Sequence, residues 1–243
     1  MAYGLSPMAY AILYFMGIFD FILHLDKHLA NLISTYGTFT YVILFLIIFA
    51  ETGLVITPFL PGDSLLFVVG TLSGSGFLNI WIMYPLFLLA AFLGDNVNYW
   101  IGHTLGPRVF SQKNSRIFNK TYLEKTHAYF TKHGGKTIII ARFVPIVRTF
   151  APFVAGIGRM PYLTFISYSI CGTLLWVTIF TFTGYFFGGL PIIKKNFEFA
   201  VVGVIVVSLL PMLYEYLKSK KENPTKKQLE HTNFKDIQKT FKK

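Results

Sequence analysis

Charge is scarce in this sequence, and acidic charge is scarcest. Asp and Glu number 11 in 243 residues, and all charged residues together make up 14%. A soluble domain carries about a quarter charged residues, so a fully water-facing surface is excluded. Cysteine is nearly absent. The single Cys171 rules out an internal disulfide, and its apolar surroundings predict a small core residue. There is no Walker loop, no nucleophile motif with a base, and no cluster of His, Cys, Asp and Glu at ligand spacing. The chain therefore reads as a non-enzyme, with no cofactor and no metal expected. His24 and His28 stand four residues apart, but Asp26 is not where a zincin helix needs its Glu, and no third ligand is evident. The N-terminus lacks a basic region and a small-residue cleavage site, so no removed signal peptide is expected.

What is present is apolar. Hydrophobic residues make up 53% of the chain, and the mean hydropathy is +0.54. Such a composition predicts an all-α polytopic membrane protein, because a helix satisfies its own backbone polar groups in lipid. The net charge of +11 is concentrated in two places, residues 106–136 and the chain after Leu217. Lys and Arg mark the cytoplasmic loops of membrane proteins, and hydropathy excludes a soluble nucleic-acid module. Residues 1–217 are read as a single membrane domain and 218–243 as a Lys-rich cytoplasmic tail.

The chain is organised around residues 141–160. This stretch is apolar enough for lipid, yet it holds Arg142 and Arg148, two prolines (Pro145, Pro152) and two glycines (Gly156, Gly158). Proline removes a backbone donor and clashes with the preceding turn, so a smooth helix is not expected. Broken backbone at membrane depth survives only when buried in protein or lining a wet cavity. The two guanidiniums stay charged there and need anionic partners. A second broken stretch carries the opposite charge: Glu51 and Asp63 flank Pro58, Pro61 and Gly62.

In chain order, residues 8–33 read as an interfacial stretch and 36–50 as an apolar helix. The first broken segment, 51–80, is too short to descend and return at about 20 residues per span, so it reads as a re-entrant hairpin. Residues 81–105 span. The basic cytoplasmic loop 106–136 follows, then a second hairpin over 137–160. Residues 161–188 and 197–217 span again. The Lys and Arg asymmetry orients the two hairpin-plus-span units oppositely, the inverted-repeat layout of many secondary transporters.

The stretches Phe21–His28, Glu51–Gly70, Gly94–Gly102, His133–Met160 and Gly184–Gly188 closely resemble the bacterial DedA family of the wider DedA/VTT superfamily. Arg-Phe-Val-Pro-Ile-Val-Arg-Thr-Phe-Ala-Pro, residues 142–152, is the most specific of them. The resemblance implies a multi-pass inner-membrane protein with two re-entrant hairpins in inverted repeat. It also implies transport of a lipid carrier: family members translocate undecaprenyl phosphate, and eukaryotic relatives scramble phospholipids. By motif, the family's functional acids fall on Glu51 and Asp63 and its functional arginines on Arg142 and Arg148.

Each charge also has a plainer reading. Glu51 could be solvated at the interface, Asp63 could cap the following helix, Arg142 could snorkel, and Arg148 could be a structural partner of Asp63. Arg159 and Asp95 are weaker candidates, Arg159 for headgroups and Asp95 for helix packing. Four ionisable residues of opposite sign on two broken membrane segments favour function. Arg142 and Arg148 are expected to bind a lipid phosphate, with Glu51 and Asp63 exchanging protons driven by the proton-motive force. The alternatives are a phospholipid scramblase or flippase and a proton-coupled cation antiporter. Expected partners are a membrane lipid (polyprenyl phosphate or phospholipid), protons and a second copy of the chain in a homo-oligomer, with no nucleic acid.

The orientation is checked by cysteine labelling from each side of the membrane. Positions 120 and 227 should react from the cytoplasm, and positions 74 and 194 from outside. Reaction of position 194 from the cytoplasm would sink the inverted-repeat reading.

Overall fold

A computed structural model describes residues 24–54, 62–111, 130, 133–188, 190, 191, 199, 202, 203 and 206. The break at 55–61, residues 8–23, most of the basic loop, most of the expected last span 197–217 and the tail 218–243 lie outside the described residues. The described residues form helices and turns. In order these are α1 (Leu25–Tyr36), α2 (Phe39–Gly53), α3 (Gly62–Gly74), α4 (Ile80–Ser111), a 3-10 turn (Gly134–Lys136), α5 (Thr137–Ala141), α6 (Pro145–Ile157) and α7 (Tyr162–Phe187).

Local chemistry sets the boundaries. α2 ends at Gly53, and Leu54 is extended. α5 stops at Ala141 because the approach to Pro145 disfavours helix: Val144, the residue before proline, is extended at φ −122° and ψ 102°. Pro145 then opens α6, where its missing N–H costs nothing. The helix continues through Pro152, which was expected to break or kink it. Without an N–H at 152, the carbonyl of Arg148 loses its helical donor.

Among the described residues two helices are long and apolar enough to cross a membrane, residues 80–105 of α4 and all of α7. α4 runs on to Ser111, six residues beyond the expected end of the span at 105. Each broken pair of helices straddles these two. α2 packs on α4 and α3 on α7; α5 packs on α7 and α6 on α4. α4 and α7 also touch directly.

The first broken segment begins earlier than the expected 51–80. Glu51 lies in the last turn of α2, so the broken pair comprises Phe39–Gly53 and Gly62–Gly74. Hydropathy drew the line at the first charge, but Glu51 is fully buried and the helix runs through it. Asn79 N–H donates to Tyr41 Oη at 2.9 Å, tying the turn after α3 back to α2. The second pair falls within the expected 137–160.

The outside of the bundle is apolar. Val42, Leu46, Leu89, Leu174, Leu175 and Ile179 are exposed, while Thr40, Asn98, Ser169, Thr173 and Thr181 are buried. Cys171 belongs to the outside: it is exposed on α7 and is not the core residue expected. In a chain whose outer face is also apolar, an apolar neighbourhood does not identify the core.

The tight crossings use glycine in matching places. A Cβ on Gly102 of α4 would overlap the Phe153 carbonyl oxygen of α6, and one on Gly156 would overlap that of Tyr99. Likewise a Cβ on Gly184 of α7 would strike the Phe67 carbonyl of α3, and one on Gly70 that of Thr181. Missing side chains let helix backbones approach where the hydrophobic effect offers no help. Gly102→Leu should therefore cost at least ~2 kcal/mol by overpacking. It should lower the melting temperature in detergent by roughly 4–8 °C, with exposed Leu46→Ala near neutral as the control. Equal melting of the two variants would show that the crossing is not tight.

Candidate functional site

Residues that flank the breaks in the two helix pairs meet in a buried cluster of charge. Among the described residues the buried charged side chains are five: Glu51, Asp63, Asp95, Arg142 and Arg148. Backbone position explains part of the arrangement. Asp63 sits in the first turn of α3, where the positive end of the helix dipole favours an acid. Arg142 follows the last residue of α5, where the negative end favours a base. Arg148 has no such help. It lies one turn into α6, near the positive end, so its stability has to come from side chains.

Two carboxylates supply it. Arg148 Nη1 donates to Asp63 Oδ1 at 2.7 Å, and Nη2 donates to Glu51 Oε1. Glu51 Oε1 also accepts from the Gly62 amide at 3.1 Å, and a Cβ at Gly62 would collide with that carboxylate. Asp63 Oδ1 accepts a second bond, 2.7 Å from Trp176 Nε1. Breaking such a buried pair by removing one partner leaves an uncompensated charge and costs about 3–5 kcal/mol.

Arg142 has a different partner. Its Nη2 donates to Asp95 on α4 and, at 2.6 Å, to Thr173 Oγ1 on α7. Ser169 Oγ donates to the same Asp95 oxygen at 2.6 Å. The sequence expectation had Glu51 and Asp63 facing both arginines; they pair with Arg148 alone. The snorkelling reading of Arg142 and the solvated reading of Glu51 also fail, since these residues are 3% and 0% exposed.

Trp176 joins the two halves. Its ring centroid lies 5.8 Å from Arg142 Cζ and 5.1 Å from Arg148 Cζ, while its indole N–H holds Asp63. A desolvated cation over an indole face is worth about 2 kcal/mol. Asn98 braces the cluster from α4: its Nδ2 donates to the carbonyls of Thr52 (3.1 Å) and Thr149 (2.7 Å), one on each broken pair.

The guanidiniums are not saturated. Arg142 Nε and Nη1 and Arg148 Nε are buried with no hydrogen-bond partner, and so is Glu51 Oε2. Unmade buried hydrogen bonds are expensive, and free donors on arginine suit an anionic oxygen. The cluster can therefore do two things chemically: offer donors to an anion, and accept a proton on a carboxylate, of which it holds three.

Of the weaker candidates, Asp95 enters the cluster and Arg159 does not. Arg159 is exposed in the turn after α6, at φ 56°. Trp176, Asn98, Ser169 and Thr173 went unassigned in the sequence. A signal existed: Ser169, Thr173 and Trp176 share one face of an apolar helix, as do Asp95 and Asn98. Among the described residues no group of three metal-ligating side chains comes together.

Comparison with known proteins follows the same residues. The VTT domain family matches residues 60–186. Protein DedA of Escherichia coli strain K12 is 56% identical over 212 residues, 86% of this chain and 96% of the relative. An uncharacterized membrane protein of Mycobacterium leprae is 46% identical over 167 residues, 69% of this chain and 75% of the relative. The inner membrane protein YqjA of Escherichia coli strain K12 is 37% identical over 155 residues, 64% of this chain and 70% of the relative. No solved structure matches the chain. With the family model covering more than half of the chain, from before Asp63 to beyond Trp176, this chain belongs to the VTT domain family and is a DedA-family membrane protein.

Proposed function

We propose that this protein translocates a phosphate-bearing lipid, of the undecaprenyl phosphate kind, across the bacterial inner membrane, coupled to the proton-motive force. The observation that carries the reading is a pair of permanently charged guanidiniums, buried in an apolar-surfaced bundle, with N–H donors left unpartnered. A phosphate supplies what such donors lack. Water does not reach the outer face of the bundle in a bilayer, so a lipid is the substrate that arrives from the side.

The two broken pairs act as re-entrant hairpins in inverted repeat. Exchanging the units α2–α3–α4 and α5–α6–α7 reproduces the packing scheme, which supports that layout. Alternating access would rock the units about a site fixed where the breaks meet. The C-terminus lies in the cytoplasm in this reading.

Proton coupling follows from charge. Three carboxylates face two guanidiniums, so with all five ionised the cluster carries one surplus negative charge. A phosphate would add to it. A proton taken up by one of the two acids, Glu51 or Asp63, removes the repulsion as the lipid binds and leaves with it on the far side. The same surplus favours a second reading, a proton-coupled cation antiporter. Vesicles containing the purified protein separate the two: labelled lipid phosphate should move without gradient-driven cation flux, and the reverse result rejects lipid transport.

Arg148→Lys keeps the charge but loses the fork that reaches Asp63 and Glu51 at once. Lipid transport should fall at least about tenfold, the effect of ~1.4 kcal/mol, with membrane levels unchanged. A full rate in Arg148→Lys would remove the forked grip on Asp63 and Glu51 from the mechanism. Gradient dependence is a separate readout. Wild-type transport should weaken at high external pH, where protons are scarce, or with an uncoupler. Glu51→Gln should transport at a rate indifferent to both. Were wild-type transport equal at every pH and gradient, the protein would be an uncoupled scramblase.

A further inference from the structure

We propose that Asp95 is a dedicated counter-ion that competes with the lipid phosphate for Arg142, so that Arg142 is the arginine handed over to the substrate while Arg148 stays tied. The inference rests on the phosphate-lipid reading above and divides the labour within that site.

The two arginines are held very differently. Arg148 is gripped through both terminal nitrogens by two acids, and each acid is anchored again, Glu51 by the Gly62 amide and Asp63 by the Trp176 indole. An anion arriving at Arg148 has to displace two carboxylates on two elements. Arg142 is held through Nη2 alone, by one carboxylate and one hydroxyl. Its Nε and both N–H groups of Nη1 are buried and unpartnered, three of the five donors a guanidinium carries. Arg142 is thus the looser cation and the one with more donors ready for oxygen, since Arg148 leaves only its Nε without a partner.

Asp95 is built to compete rather than to bind permanently. One of its oxygens takes both Arg142 and Ser169. Ser169 and Thr173, one turn apart on α7, hold the acid and the base of the pair respectively. Asp95 stands on α4 and Arg142 at the end of α5, so the pair joins a spanning helix to the second broken pair. Without a substrate it neutralises Arg142. When a phosphate takes Arg142, Asp95 is released, and its return expels the phosphate. Asp95 then acts through Arg142 as a positioning residue and sets the release step.

The prediction has an uncommon sign. In protein reconstituted into nanodiscs, Asp95→Asn should bind undecaprenyl phosphate about tenfold more tightly than wild type, within the usual range for coupled sites. Binding of undecaprenol, the same chain without phosphate, should not change. In vesicles the half-saturating concentration of undecaprenyl phosphate should fall and the maximal rate should fall with it. Ser169→Ala, which loosens Asp95 without removing its charge, should move affinity in the same direction by a few-fold, and it keeps the test open if Asp95→Asn fails to fold. Unchanged or weaker phosphate affinity in folded variants would overturn the inference while leaving the transport reading intact. Wild-type protein that binds the phosphate and the alcohol alike would overturn the transport reading, and this inference with it.

Discussion

A guanidinium cannot give up its charge, and Arg148 carries one where neither water nor the helix dipole supports it. The structure around the breaks answers that constraint. α2 has to bring Glu51 and α3 has to bring Asp63 to the same cation, so the first broken pair must fold back toward the second. Gly62 has to lack a side chain for Glu51 to fit. Trp176 has to point inward from α7 to keep Asp63 in place and to lay its face beneath both cations. Asn98 then closes the arrangement from α4 by holding one carbonyl of each pair.

Much of this was legible in the residues. Glu51, Asp63, Arg142 and Arg148 are conspicuous because charge is costly in apolar segments, and Arg148 with Asp63 was a foreseeable pair. The breaks announced themselves through Pro58, Pro61 and Pro145. The partner of Arg142 was not legible. Asp95 sits in a smooth spanning helix, and only the approach of α5 to α4 and α7 reveals it as a counter-ion. Trp176 and Asn98 were hidden for the same reason: a side chain's role in a bundle depends on which neighbour it faces. Cys171 shows the complementary limit, since hydropathy reports affinity for an apolar medium and not whether that medium is protein or lipid.

The additional acid changes the character of the site. With two acids against two bases the cluster would be balanced and inert at rest. With Asp95 present, one negative charge is in excess when all are ionised, so any anion that enters has to be accompanied by a proton or has to displace a carboxylate. The proposed proton coupling and the proposed exchange at Arg142 would be two ways of meeting the same demand for neutrality in a poorly solvated space.

The cross-packing of the broken helices also bears on how the protein is made. α3 emerges early, yet its main support, α7, begins about a hundred residues later, and the Phe67 and Thr181 backbones meet only when both are present. Asp63 likewise waits for Arg148 and Trp176. The first half of the chain therefore leaves the ribosome with a buried acid still unpaired and a short helix without its seat. Its native contacts to α6 and α7 are not yet available. The contacts that complete the site lie between the two halves, so a chain made from its N-terminus forms them only once the second half has been synthesised.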